Sequence, residues 1–202
     1  MNRDRYAFAR VACTTARQKK NDYPAREPAS RQVRIRGALH SALVKKINTN
    51  AVDEFTWASP KGTFAGAGKQ ISEALGRKRD STDLIERHPF DVEIARIPAG
   101  CTPCPYHSHS MQWEFYHVIS GGGVVRHEGG KTAIGTGDAF IFKPGEAHQL
   151  INDTSDDLVL YVVADNPIGE SCHYPDSNKW AVKSPSYQIV RSEPLDYYDG
   201  EE

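Results

Sequence analysis

Between Phe90 and Asp165 the chain is a succession of short runs, FDVEIARI, WEFYHVIS, GVVRHE, KTAIGTGDAFIF, AHQLIN and DLVLYVVAD, each broken off by Gly, Pro or Asp. Runs of this length, alternating or wholly apolar and rich in Val, Ile, Phe and Tyr, are the pattern of strands. Several short strands in succession close into a sandwich or barrel. The stretch contains no internal repeat, so one all-β barrel is expected.

The flanks read differently. Residues 1–46 carry 12 Lys/Arg against 3 Asp/Glu, whereas residues 47–202 carry 13 against 23. The arm at 1–45 is basic and interrupted by Pro24 and Pro28, and is expected to be disordered. Residues 46–89 read as a cover segment of loop and short helix. In KQISEALGRK, Ile71, Leu75 and Ala74 share a helical face before Gly76 ends it. Residues 166–202, which begin NPIGESCHYPDSNKW, are too rich in Pro, Gly, Asn and Ser for a central strand. They are expected to wrap the barrel, with SYQIVR as an edge strand and DYYDGEE as an acidic tail.

Several function classes are excluded. No run reaches the 18 or more apolar residues of a membrane span, and the basic arm lacks the apolar core of a secretory leader, so a cytoplasmic protein is expected. Four cysteines in 202 residues do not make a disulfide framework. The arm could meet nucleic acid, but it shows no paired helix pattern, which argues against a nucleic-acid regulator.

The chemistry concentrates in CPYHSHSMQWEFYHVISG, residues 104–121, which hold three of the eight histidines of the chain. Side chains in a strand alternate faces, so His107 and His109 point the same way and two imidazoles can chelate. A turn or bulge in SMQ would return Glu114 to that side. His148 follows the Pro144-Gly145 turn on a returning strand and completes three imidazoles and a carboxylate, a set suited to a first-row divalent metal. Fe(II) and Mn(II) suit this mixed set best, with Ni(II) and Zn(II) as alternatives. His117 falls on the opposite face with Trp113, Phe115 and Ile119.

These residues resemble the two motifs of the cupin superfamily. The first appears as Gly100, His107, His109, Glu114 and Gly121, with six residues between Gly100 and His107 where five are usual. The second appears as Gly137, Asp138, Gly145, His148 and Asn152, with Lys143 where a proline usually stands and Pro144 directly after. The resemblance spans 100–152 in its motifs and about 90–165 with the flanking strands. It implies a double-stranded β-helix, or jelly roll, of the small single-domain type, with His107, His109, Glu114 and His148 as metal ligands.

Counting by twos from Glu114 puts Gln112 and Tyr116 on the inner face, where the Tyr116 hydroxyl is a candidate catalytic group or simply fills the barrel. Leu150 and Asn152, two and four residues past His148, complete an expected substrate pocket, with Asn152 also read as a turn residue or a hydrogen bonder behind the ligands. Cys101 and Cys104, in CTPC, have redox or zinc spacing but lead into a strand, and packing at the barrel mouth is the simpler reading. The glycines at 121–123 read as a hairpin turn, and GRKRD, residues 76–80, as a solvated basic loop. The expected function is a metal-dependent enzyme on a small organic molecule, either dioxygenase-like or an isomerase, lyase or decarboxylase. The alternative is a cupin that binds a small molecule or sugar without turnover. The apolar outer stripe points to a homodimer.

Overall fold

Each expected strand run forms a strand in a computed structural model of the protein, which describes residues 44–79, 81–182 and 187–202. The basic arm expected at 1–45 therefore lies almost wholly outside the described residues. The rest, from Ile47 to Glu202, forms one compact unit. In chain order its elements are a 3-10 turn at Thr49–Ala51, β1 (Phe55–Ala58), β2 (Ala65–Gln70), α1 (Ile71–Ala74), α2 (Leu84–Arg87), β3 (Phe90–Ile97), β4 (Ser108–His109) and β5 (Glu114–Ser120). There follow β6 (Gly122–His127), β7 (Gly130–Gly135), β8 (Ala139–Phe142), β9 (His148–Ile151), β10 (Leu158–Asp165) and β11 (Ser171–Tyr174). A second 3-10 turn at Pro175–Ser177 leads to β12 (Lys179–Val182) and β13 (Gln188–Val190).

The strands pair antiparallel in a six-stranded sheet, β1-β2-β3-β10-β5-β8, and in two smaller ones, β13-β12-β11-β4 and β7-β6-β9. The two smaller sheets meet at the histidines themselves. The His107 amide donates to the His148 carbonyl at 3.1 Å and the His148 amide to the His107 carbonyl at 2.8 Å. The core contains Ile97, Tyr116, Val118, Val125, Leu150, Leu158, Leu160 and Val162, contributed by alternate positions of strands from both faces. This is the all-β barrel that the strand pattern predicts, in the jelly-roll form that the motif resemblance implies.

The stretch expected as cover does carry α1 and α2, and it also adds β1 and β2 to the edge of the large sheet. The sequence of β2, AGAGKQ, lacks the branched and aromatic residues that mark a strand. Its small residues let aromatic rings of β1 lie on the sheet: a Cβ at Gly66 would sit 2.3 Å from the Trp57 ring. Trp57 in turn donates its indole N–H to the Pro103 carbonyl at 3.1 Å, which brings the cover to the barrel mouth.

Three further local readings change. The glycines at 121–123 form no hairpin, because β5 and β6 belong to different sheets. They make the corner between them, where Gly121, at φ +79°, passes so close to Asp157 that a Cβ would lie 2.2 Å from its carbonyl oxygen. Arg77, read as part of a solvated basic loop, is buried and pairs with Glu73 and Asp91, each at 2.9 Å, while also donating to Asn166 at 3.1 Å. His173, in the stretch that the sequence reads as too rich in Pro, Gly, Asn and Ser for a central strand, lies on β11 with its ring stacked 4.4 Å from that of Trp180.

Candidate metal centre

The site starts from strand register. His107 and His109, two apart, present their imidazoles to one side, with ring centroids 5.1 Å apart. Glu114 opens β5 and His148 opens β9, and both point into the barrel from opposite sheets. His107, Glu114 and His148 offer ligand atoms within 4.8 Å of one another. His109 stands at the edge of this triad, its Nε2 3.5 Å from Glu114 Oε1, and forms a second close grouping with His107 and Cys172. The sequence-based quartet thus resolves into a tight trio and a neighbouring fourth histidine.

Each imidazole is anchored through Nδ1. His107 Nδ1 lies 2.9 Å from the Pro105 carbonyl, His148 Nδ1 3.1 Å from the Glu146 carbonyl, and His109 Nδ1 3.0 Å from Glu170 Oε1. An Nδ1–H donating to these oxygens leaves each Nε2 as the basic nitrogen, the usual preparation of a metal-binding histidine. His109 Nε2 and His148 Nε2 are buried and lack an aligned hydrogen-bond partner among the described residues. Both nevertheless approach the Glu114 carboxylate, at 3.5 and 2.9 Å. Buried polar atoms left this way cost on the order of 1–3 kcal/mol each. Two imidazoles and a carboxylate brought within 4.8 Å, with a third imidazole at their edge, are a donor set that fits a first-row divalent cation. The identity of that metal is not determined by the donor set.

The walls tune these groups. The Phe142 ring lies flat on His148, centroids 3.9 Å apart and 2° from parallel. Tyr116 donates its hydroxyl to Glu114 Oε2 at 3.0 Å, so the phenol expected to face substrate first orients the carboxylate. Burial, reinforced by the Glu114 charge, holds the Tyr116 hydroxyl well above the usual tyrosine range. Burial pushes His107 down to about 4. Burial also acts against a charged His109, but bonds to Glu114 and Glu170 prevail and raise it to about 9. Glu114, despite the opposing effect of burial, is held well below the carboxylate range by His109 and His148.

A cavity of about 250 Å³ opens on the triad, walled by Trp57, Glu93, Pro103, Cys104, Tyr116, Leu150 and Val162 among others. Leu150 therefore lines the pocket as expected. Gln112 faces inward too, into a second hollow of about 140 Å³ shared with Asp91, Glu93 and Glu114, and its amide donates to the Asp165 carbonyl. Asn152 does not line this cavity and closes a turn, the second of its two readings. It is fully buried, donating to the Ile97 and Asp156 carbonyls at 2.8 and 2.7 Å and accepting from Thr154. The CTPC pair separates: Cys101 packs in the core, while Cys104 lines the cavity with Sγ 3.7 Å from His107 Nδ1. Burial pushes the Cys104 thiol up to about 12, far from a reactive thiolate.

Two residues had no signal in the sequence. Glu93, on β3, faces both hollows, and burial together with the charges of Asp91 and Glu114 raises it to about 7. Glu170, just before β11, is fully buried and accepts from His109, from the backbone amides of Ser110 (3.1 Å), Met111 (2.9 Å) and Gln112 (2.9 Å), and from the Ser110 hydroxyl. It thereby fixes both His109 and the loop that carries the chain from β4 to β5.

The cupin domain family model matches residues 93–164. Residues 93–164 are thus a cupin domain. Solved cupins share the fold at low identity. A candidate sugar phosphate isomerase from Acidithiobacillus ferrooxidans is 23% identical over 67% of this chain and 83% of its own, with a TM-score of 0.57. A cupin sugar phosphate isomerase from Silicibacter pomeroyi is 21% identical over 75% of this chain and 97% of its own, with a TM-score of 0.61. No curated protein sequence matches the chain. The cupin domain holds the triad and ends before Glu170 and β11.

Proposed function

We propose that this cupin is a metal-dependent enzyme acting on a small organic molecule, with His107, His109, Glu114 and His148 holding a divalent ion, Fe(II) or Mn(II) for preference and Ni(II) or Zn(II) as alternatives. The observation that carries this reading is the 250 Å³ cavity that opens directly on His107, Glu114 and His148. When bound, such an ion supplies Lewis-acid polarisation of a substrate oxygen or, if redox-active, oxygen chemistry. The reaction class is accordingly dioxygenase-like, or isomerase, lyase or decarboxylase.

The surrounding residues have distinct parts in this reading. Trp57 and Pro103 at the mouth and Leu150 and Val162 deeper in exclude water and favour an apolar substrate body. Tyr116 fixes the orientation of Glu114, which is a ligand and so not available as a base. Glu93 is the group best placed to hold or deliver a proton, since its carboxyl, raised to about 7, sits across the cavity and titrates near neutrality. Among the cavity-lining residues none is Lys or Arg. The two neighbours are named for sugar phosphates, but apart from the metal itself a phosphate would find no Lys or Arg here, which favours an uncharged or carboxylate substrate that the metal alone can bind over a phosphorylated one.

Element analysis of protein purified under reducing conditions, followed by oxygen uptake and isomerisation assays with catechols, diketones and aromatic acids, tests the reading. Stoichiometric metal with turnover supports it. Bound metal and bound ligand with no turnover across these classes would leave the second reading, a non-catalytic cupin holding a small molecule or sugar.

The reading includes a homodimer. Trp113 just before β5, Phe115 and Ile119 on β5 and Ile141 on β8 are 38–54% exposed, and Phe115 stands opposite both Ile141 and Val163 in register, giving one apolar stripe at a sheet edge. A second copy is the occupant proposed, and light scattering that finds the mass of a single chain would refute it.

A further inference from the structure

Strand β11 presents a different chemistry to the histidine pair than the barrel wall does. Cys172 pairs with His109 across the β11–β4 ladder, so the two side chains project from the same face, and His107 joins them two residues along. Ligand atoms of His107, His109 and Cys172 lie within 4.8 Å of one another. Cys172 is 7% exposed and His107 9%, so the grouping is screened from solvent. The phenol of Tyr174, on the same face of β11, sits against the Cys172 thiol and has its ring 6.2 Å from that of His107.

We propose that His107, His109 and Cys172 form a second ligand set, for a thiophilic cation such as Zn²⁺, Cd²⁺ or Cu⁺, sharing its two histidines with the centre described above. The proposal rests on the reading that those histidines ligate metal, but the third ligand is different and so is the cation it selects. A thiolate is a soft donor that favours these ions, whereas the Glu114 carboxylate favours Mn²⁺ and Fe²⁺. A tetrahedral ion with bonds of about 2.0 Å to nitrogen and 2.3 Å to sulfur spaces its ligands about 3.5 Å apart. The present span, within 4.8 Å, exceeds that spacing by at most about 1.3 Å. Binding releases the thiol proton to solvent and leaves the thiolate on the cation. Because the histidines are shared, the centre holds one ion at a time, and the softness of the ion decides which third ligand it takes. The competing account, that Cys172 is only a small packing residue, predicts no sulfur–metal bond at all.

The test uses the full chain, reduced and stripped of metal, titrated separately with Cd²⁺, Co²⁺ and Mn²⁺. Wild type is expected to develop a thiolate-to-metal charge-transfer band with Cd²⁺ and Co²⁺ that saturates at one equivalent. Cys104→Ser should keep the band. Cys172→Ser should lose it, with Cd²⁺ affinity falling at least about tenfold and Mn²⁺ affinity staying within about twofold. Should Cys172→Ser fail to fold by circular dichroism, Cys172→Ala gives the same readout. Absence of the band in wild type, or its survival in the Cys172 variant, overturns the proposal. Glu114→Gln separates the two readings: weakened Mn²⁺ binding with an intact Cd²⁺ band supports both, while unchanged Mn²⁺ binding removes Glu114 from the centre and leaves the sulfur set standing.

Discussion

The histidine pair has two walls, and they are built by different means. On the barrel side, Glu114 and His148 come from β5 and β9, with Tyr116 bonded to Glu114 and Phe142 stacked on His148. On the other side, β11 supplies Cys172 and the segment before it supplies Glu170, whose carboxylate gathers His109 and three backbone amides. One wall offers oxygen and nitrogen ligands to a cation; the other holds the histidines still and, in the proposal above, offers a thiol. The first lies inside the family domain at 93–164 and the second beyond it, so the domain alone does not complete the environment of its own histidines.

Removing a group from the barrel wall should have the largest effect. His148→Ala takes away a buried ligand that is 1% exposed, and with it the flat contact with Phe142. The cavity left behind should cost about 2–4 kcal/mol in the metal-free protein. Metal affinity should fall by more than about 100-fold, beyond what loss of an outer hydrogen-bond partner produces. Element analysis and thermal unfolding with and without metal check this, and unchanged metal content would remove His148 from the centre.

Glu170→Gln probes the opposite wall while preserving shape. A neutral amide cannot accept from three backbone N–H groups and His109 as the carboxylate does, and its own NH₂ meets donors. A loss of about 2–3 kcal/mol is expected from charged hydrogen bonds of this kind. With His109 no longer held in place, metal affinity should drop about 10–100-fold. An NMR titration should show His109 falling from about 9 towards its ordinary range, since one of its two carboxylate partners is gone. A variant with wild-type stability and an unmoved His109 would show that Glu170 does not position the site.

The two walls were also unequally legible in the sequence. Strand parity and the spacing of His107, His109 and Glu114 are local, and so is the turn ahead of His148. His117 could be sent outward on parity alone, and it is exposed. Asn152 was legible only in part: counting by twos from His148 carries it into the pocket, whereas β9 ends at Ile151 and the next residue acts as the turn hydrogen bonder of its other reading, satisfying the carbonyls of Ile97 and Asp156. Glu170 stood in a stretch of Pro, Gly, Asn and Ser that hid a short strand. Its partner is about 60 residues away in sequence, and no spacing rule connects a carboxylate to a histidine across that distance. β2 was hidden similarly, because its strand depends on the rings of β1 covering its glycines and not on residues of its own.

The pH dependence of the metal-free protein sharpens the comparison, because each wall contributes a group. His109 is raised to about 9 from 6.5, so its contribution is fully present below 6.5 and is lost as pH rises towards 9. His107 is lowered to about 4, so its neutral form supports folding above 6.5 and that support is lost as pH falls towards 4. Glu93, raised to about 7 from 4.5, runs against His107 over nearly the same range, its contribution lost as pH rises from 4.5 to 7. The two largely cancel, and the clear expectation is a decline in stability between pH 6.5 and 9. Glu93→Gln should expose the His107 effect as a rise in stability between pH 4 and 6.5. Denaturation midpoints measured across this range check both, and a flat profile above 6.5 would contradict the assignment of a proton to His109.

The smallest expected effect belongs to Tyr116→Phe. The ring stays packed against Phe140, with centroids 5.3 Å apart, so the core loses no volume. What is lost is one hydroxyl donated to Glu114 Oε2 at 3.0 Å. A hydrogen bond to a charged acceptor is worth about 1.5–3 kcal/mol, but Glu114 also has His148 2.9 Å from the same oxygen, so the net cost should fall at the low end of that range. Metal affinity should weaken by less than for Glu170→Gln, since the phenol steadies a carboxylate that the histidines already hold. If turnover is found, Tyr116→Phe separates two roles for the phenol. A modest fall in kcat that follows metal occupancy marks it as a residue that orients Glu114. A loss of turnover at full metal occupancy marks it as a group that acts on substrate, and would place chemistry as well as positioning on the barrel wall.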